Sequence, residues 1–85
     1  MANPIRIYSK DICPYCIRAK NLLNTHGLEY TEINLDRQPE LFTDLKQQTG
    51  WMTVPQIFIG NHFIGGFDEL AEIERSGRLK EVLEE

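Results

Sequence analysis

Cysteine is scarce in this chain, which has only Cys13 and Cys16. That excludes a small secreted scaffold stapled by several disulfides. Histidine is as sparse: His26 and His62 are the only two, and their spacing fits no common finger pattern. A structural zinc normally takes four ligands, so no metal is expected. No stretch approaches the ~18 apolar residues of a membrane span. The opening Met1-Ala2-Asn3-Pro4 leads into only a few apolar residues before Lys10 and Asp11, without the layout of a secretory leader. Positive charge is in deficit, with a net charge of −4. Broad binding to nucleic acid or to an anionic membrane is thereby disfavoured. There is no internal repeat, low-complexity tract or linker. A reducing, cytoplasmic setting is the expectation.

What is present fits one small domain spanning residues 1–85. A chain this short buries only roughly 60–65% of its unfolded surface, so its core is modest. Apolar residues make up 41% and charged residues 26%, as in an ordinary soluble domain. Charge is unevenly spread. Arg6, Lys10, Arg18 and Lys20 face only Asp11 within residues 1–20, whereas residues 66–85 are strongly acidic. Such asymmetry is common by itself; here the positive excess adjoins the cysteines.

Periodicity gives the order of elements. Ile5 and Ile7 alternate with Arg6 and Tyr8, predicting a strand at about 4–9. A helix is predicted from Pro14 to His26, with Pro14 suited to its first position and Gly27 as the stop. Residues 28–35 alternate again, with Thr31, Ile33 and Leu35 on one side. Pro39–Thr49 reads as a helix with an apolar stripe of Leu41, Phe42 and Leu45, ended by Gly50. Leu41 and Leu45 suffice as inward anchors, which favours Phe42 on the exposed side; the alternative is that Phe42 belongs to the stripe and is core. Val54–Ile59 is a dense β-branched and aromatic run, hence a buried strand. Gly60-Asn61 turns it into a return strand at 62–64. A helix begins near Phe67 or Asp68 and stops at Ser76-Gly77. A last short helix, about 78–84, lays Leu79, Val82 and Leu83 on the body. The order is βαβαββα plus a C-terminal turn of helix. It implies an α/β fold with a mixed four-stranded sheet flanked by helices.

The cysteines sit between a strand and a helix, as Cys13-Pro14-Tyr15-Cys16. Unpaired N–H groups and the macrodipole at a helix N-terminus favour negative charge. A thiolate is the attacking species in disulfide exchange, and such positions can lower a thiol pKa well below ~8.5. Lys10 can add to the effect. Cys16 shares the inward helix face of Ala19 and Leu23, whereas Cys13 lies in the turn before the helix. Cys13 is therefore assigned as the exposed nucleophile and Cys16 as the shielded resolving thiol.

At this point the sequence resembles the glutaredoxins of the bacterial dithiol class. The likeness rests on Cys13-Pro14-Tyr15-Cys16, on Thr53-Val54-Pro55-Gln56-Ile57-Phe58-Ile59, and on Ile64-Gly65-Gly66-Phe67-Asp68, in the family's order and approximate separations. It implies the thioredoxin fold and glutathione-dependent reduction of protein disulfides and glutathione mixed disulfides. Pro55 would be cis, where the residues alone also allow a trans proline opening an edge strand. Thr53, Val54 and Pro55 would then bind glutathione, with the Val54 backbone pairing to it like a neighbouring strand. Gly66 and the backbone of Phe67 and Asp68 would receive the γ-glutamyl carboxylate, and the Asp68 side chain would face the ammonium. Alternatively, Asp68 is a plain helix cap. Lys10 and Tyr15 match positions flanking the glycyl end and the sulfur. Glutathione is thus the implied co-substrate, the protein a monomer, and ribonucleotide reductase a plausible client by resemblance alone.

Two departures stand out. Phe42 occupies a position where relatives often carry Arg or Gln against the glycyl carboxylate, and Trp51-Met52 precede Thr53 where Arg is frequent. Arg37 or Gln38 can substitute. Phe67 stands where some relatives have a third cysteine. Two other functions compete: a subunit-bridging [2Fe–2S] holder, against which Pro14 argues, and a thioredoxin-like carrier, against which Gly65-Gly66-Phe67-Asp68 and Lys10 argue.

Overall fold

Alternation along the strand Ile5–Ser9, β1, decides which side of the sheet is which. Ile5 and Ile7 face one layer and Tyr8 the other, as period-two geometry requires. The structure, a computed structural model, describes residues 3–84. Met1, Ala2 and Glu85 fall outside it, and with them the first half of the stretch read for a leader.

The helix α1 (Pro14–Thr25) and the strand β2 (Thr31–Asn34) follow β1. After a single 3₁₀ turn at Leu35–Arg37 come α2 (Pro39–Thr49), β3 (Gln56–Ile59), β4 (His62–Gly65), α3 (Phe67–Arg75) and α4 (Leu79–Glu84). The strand order is β2-β1-β3-β4. β1 runs parallel to β2 and antiparallel to β3, and the β3–β4 hairpin is antiparallel. This is the mixed four-stranded sheet and thioredoxin fold expected from the sequence. No helix among the described residues is long and apolar enough to cross a membrane.

The core has two parts, one on each face. Ile5, Ile7, Ile57 and Ile59 pack with Ala19 and Leu23 of α1, Leu70 of α3, and Leu79 and Leu83 of α4. Tyr8 and Phe58 pack on the opposite face with Leu35 and Leu45. On α1, Cys16, Ala19 and Leu23 are buried at intervals of three and four residues, so the resolving cysteine belongs to the inward stripe.

Two strands are shorter than their sequence pattern. β2 starts at Thr31 rather than 28, because the Leu28 N–H is spent on the Leu23 carbonyl at the end of α1. Gly27, at φ +67°, makes that reversal possible. β2 also stops before Leu35, where the Asn34 side chain accepts the Asp36 N–H and starts the 3₁₀ turn. β3 starts at Gln56 rather than Val54. Pro55 has no N–H to give a ladder, and the Val54–Pro55 bond is cis, as the resemblance implied.

Candidate functional site

Cys13 is the residue preceding α1, in extended conformation, with Pro14 as the helix's first residue. Its Sγ lies 3.2 Å from the Cys16 N–H, which points at it as an N-terminal helix donor. No acidic residue occupies the first turn of α1. The end of this helix therefore presents positive potential to the sulfur, and negative charge there is stabilised. Cys13 and Cys16 form a disulfide, with their Cα atoms 5.2 Å apart.

The expected exposure of Cys13 needs correction. Cys13 is 7% exposed and Cys16 1%, so both are buried and the asymmetry is one of degree. Cys13 sits in its disulfide with Sγ 3.8 Å from the Val54 carbonyl oxygen, so the cis-proline loop covers it from one side. What stands out in solvent around the pair is Ile12, Tyr15, Ile17 and Met52.

A cavity of about 370 Å³ opens beside the cysteines. One wall is the loop Trp51, Thr53, Val54 and Pro55; the other is Gly66, Phe67, Asp68 and Glu69 at the start of α3. Tyr15 closes the cysteine side, its ring 6.2 Å from that of Phe67. The structure thus gathers Tyr15, Thr53, Val54, Pro55, Gly66, Phe67 and Asp68 around one cavity, with Cys13 at its Val54 edge. Lys10 is the one predicted glutathione-binding residue outside that lining, and Cys13 and Cys16 lie behind it rather than in it. The Lys10 Nζ is drawn instead to the ring of Phe42, at 4.8 Å.

The α3 end differs from a bare helix terminus. Gly66, not Asp68, is the residue preceding the helix, and Asp68 is an exposed residue of its first turn. The Gly66 N–H already donates to Glu69 Oε1 at 2.9 Å. The N–H groups of Phe67 and Asp68 have no acceptor within the helix and remain the donors for an anion. The glycines serve close approach within the protein itself. A Cβ on Gly66 would lie 3.3 Å from the Pro55 carbonyl oxygen, and one on Gly65, at φ +120°, 2.8 Å from Glu69 Cγ.

Phe42 is neither fully exposed nor core. It is half-buried against the Tyr8–Leu35–Leu45–Phe58 cluster, which corrects its expected placement in solvent. One helical turn on, Lys46 brings its Nζ to 4.3 Å from the same ring. Arg37 and Gln38, the expected substitutes for a missing cation, line a different groove with Pro39, Glu40, Leu41 and Asp44.

Three arrangements that hold the site went unread in the sequence. Buried Gln56 donates through Nε2 to the carbonyls of Trp51 and Thr53, both at 3.0 Å, and its Oε1 accepts from the Thr49 hydroxyl at 2.8 Å. It thereby fastens the cis-proline loop. Asp11, ahead of Cys13, donates its N–H to Asp36 at 2.7 Å and accepts from Asn34 at 2.6 Å, tying the cysteine loop to the end of β2. Buried Ser9 donates to Glu32 at 2.6 Å, and Lys20 pairs with the same carboxylate at 2.9 Å. The Ser9 hydrogen bond, then that of Lys20, hold the Glu32 carboxyl below its ordinary range, against a smaller opposing effect of burial. A polar Gln inside an apolar strand was the one available signal. No cluster of three or more His, Cys, Asp or Glu suited to a metal occurs among the described residues.

Known proteins match this geometry along nearly the whole chain. The sequence model described as Glutaredoxin matches residues 5–64. A glutaredoxin of Pseudomonas aeruginosa is 48% identical over 80 residues, covering 94% of this chain and 95% of its own. Glutaredoxin 3 of Escherichia coli is 41% identical over 83 residues, covering 98% and 99%. Among solved structures, a buckwheat glutaredoxin–glutathione complex superposes with a TM-score of 0.90 at 40% identity, covering 95% of this chain and 76% of that one. With its paired cysteines at the head of α1 beside a cis-proline loop, the chain belongs to the glutaredoxin family of thiol–disulfide oxidoreductases.

Proposed function

We propose that this protein reduces glutathione mixed disulfides and protein disulfides, with glutathione as its reductant, through Cys13 as nucleophile and Cys16 as resolving thiol. The observation that carries the reading is the Cys13 sulfur. It accepts a helix-terminal N–H and lies 3.8 Å from the carbonyl oxygen of Val54, a residue that lines a cavity of small-molecule size.

The Cys13 thiolate attacks the glutathionyl sulfur of a mixed disulfide. That disulfide breaks, the client thiolate leaves and takes a proton, and Cys13 carries the glutathionyl group. A second glutathione, as thiolate, attacks that group, releasing glutathione disulfide and the Cys13 thiolate. Alternatively Cys16 loses its proton and attacks the Cys13 sulfur, expelling glutathione and leaving the Cys13–Cys16 disulfide seen here. Two glutathiones return that disulfide to the dithiol.

Glutathione would lie extended along the loop, its backbone paired with Val54. Thr53, Pro55 and Gly66 shape the channel, and Tyr15 covers the sulfur. The γ-glutamyl carboxylate would meet the Phe67 and Asp68 N–H groups, with the Asp68 carboxylate facing the ammonium. Lys10 would stand at the glycyl side. That the buckwheat relative is solved with glutathione supports this reading. A reducing compartment such as the cytoplasm suits a dithiol that must be kept reduced.

Turnover of a glutathionylated peptide and of a protein disulfide, with and without glutathione, tests it. Cys13→Ser should abolish both activities. Cys16→Ser should keep deglutathionylation and lose dithiol reduction of the protein disulfide. A Cys16→Ser protein inactive on the mixed disulfide would overturn the division of roles.

A further inference from the structure

Three sulfur-bearing side chains lie among the described residues, and only one of them is open to solvent. Cys13 and Cys16 are buried and joined as a disulfide, which leaves neither as a thiolate. Met52 is 71% exposed. A thioether needs no deprotonation to be oxidised, so a peroxide that reaches the disulfide form meets the Met52 sulfur first. Met1, the other methionine, lies outside the described residues.

The loop is built to hold that side chain outward. The carbonyls on either side of Met52, those of Trp51 and Thr53, are both fastened by the Gln56 amide at 3.0 Å. Trp51 is anchored edge-on against Phe63, with ring centroids 5.3 Å apart. Met52 itself packs in neither core cluster and does not line the cavity. Two residues on, the Val54 carbonyl oxygen lies 3.8 Å from the Cys13 sulfur. Because Cys13 is recessed, a client disulfide reaches it only when the client surface settles on its surroundings. The large apolar side chains exposed there are Ile12, Tyr15, Ile17 and Met52. Methionine is the adaptable one: unbranched and polarizable, it fits client surfaces of different shape, as at other promiscuous interfaces.

We propose that Met52 is a peroxide-sensitive client contact: oxidation to the sulfoxide withdraws the protein from protein disulfides and spares its action on small glutathione mixed disulfides. The inference rests on the thiol–disulfide function proposed above. The Met52 sulfur attacks one oxygen of hydrogen peroxide. The O–O bond breaks, an S–O bond forms, and the second oxygen leaves as water with both protons. The sulfur is oxidised by two electrons and the peroxide is reduced by two. The product places a strongly polar S–O group where a protein client would bury an apolar one. A short peptide substrate enters by the cavity, which Met52 does not line.

The test treats the disulfide form with dilute hydrogen peroxide, removes the excess with catalase, and locates added oxygen by peptide mass. The protein is then reduced and assayed on a glutathionylated short peptide and on a folded protein with an exposed disulfide. One oxygen should appear on the peptide containing Met52 and none on the cysteines. On the protein disulfide kcat/KM should fall about three- to tenfold, mostly through KM, as expected for losing half the burial of a Met side chain. On the short peptide it should stay near the untreated value. Methionine sulfoxide reductases acting on both epimers should restore the loss. Met52→Leu should keep most of the protein-disulfide activity and lose its sensitivity to peroxide. Met52→Gln should show the low value without peroxide, and both variants should melt near the wild-type temperature. Unoxidised Met52 with oxygen elsewhere would overturn the site. Full oxidation with equal losses on both substrates, or with no loss, would overturn its role as a client contact, as would a peroxide effect that persists in Met52→Leu. An untreated protein that turns over neither substrate would instead overturn the function on which the inference rests.

Discussion

Replacing Gln56 by Leu should unfasten the cis-proline loop at a calculable cost. The Gln56 side chain is fully buried at the head of β3, where the residue pairs with Tyr8 of β1. Its amide donates to two carbonyls, Trp51 and Thr53, and accepts from Thr49. Leucine has similar volume, so cavity formation is minor; the loss is polar. Thr49 can fall back on the Leu45 carbonyl, 3.0 Å away. The Trp51 and Thr53 carbonyls lose these donors. Each unsatisfied group costs about 1–3 kcal/mol, and the added apolar burial returns about 1 kcal/mol. The net is about 1–5 kcal/mol, a large part of the ~5–15 kcal/mol that holds a domain together. At ~4–8 °C per kcal/mol for a domain of this size, the melting temperature should drop by about 4–40 °C.

Trp51, the only tryptophan, lies on the same loop and makes the measurement direct. Urea unfolding followed by its fluorescence and, in parallel, by circular dichroism separates loop release from global unfolding. Thr53 and Val54 lie on the loop too, so KM for a glutathionylated peptide should rise under conditions where the variant is folded. A Gln56→Leu protein with an unchanged midpoint and unchanged KM would refute the argument that this amide holds the site.

Gly65→Ala should destabilise by about 2–4 kcal/mol, from a positive φ that an L residue resists and from displacing Glu69, whose carboxylate holds the Gly66 N–H; a melting temperature within error of wild type would contradict it. Glu32 titrates below its ordinary value of 4.5 when folded, so its contribution is complete above that pH and is lost as pH falls through the lowered value. Glu32→Gln should therefore flatten the acid limb of the stability curve while costing only about 0–1 kcal/mol at neutral pH, because the side chain is partly in water; an acid limb identical in both proteins would count against the Ser9–Glu32–Lys20 arrangement.

Local patterns carried the fold far. Pro39–Thr49 was legible to its ends because proline starts that helix and Gly50, at φ +77°, stops it. The β3–β4 hairpin was legible from Gly60-Asn61 between two apolar runs. Boundaries failed where a backbone group was claimed from outside its own segment. Alternation at Leu28 said strand, but the end of α1 took its N–H. The β-branched run said strand at Val54, but the chain before Gln56 belongs to a loop held by side-chain hydrogen bonds. The Asp11–Asn34–Asp36 links join residues 23 and 25 apart, a pairing no periodicity encodes.

The site shows the same division more sharply. The residues around the cavity came from motifs, in which neighbours along the chain are neighbours in space. Exposure did not: Cys13 sits ahead of its helix, as its sequence implies, yet the cis-proline loop closes over it from forty residues away. Phe42 defeated a simple choice between surface and core, because an aromatic ring can do both, one edge packed on Leu45's cluster and its face open to cations. Arg37 and Gln38, just ahead of α2, line a different groove. The cation that reaches the Phe42 ring from its own helix is Lys46, four residues on, at the spacing that brings side chains together on a helix surface.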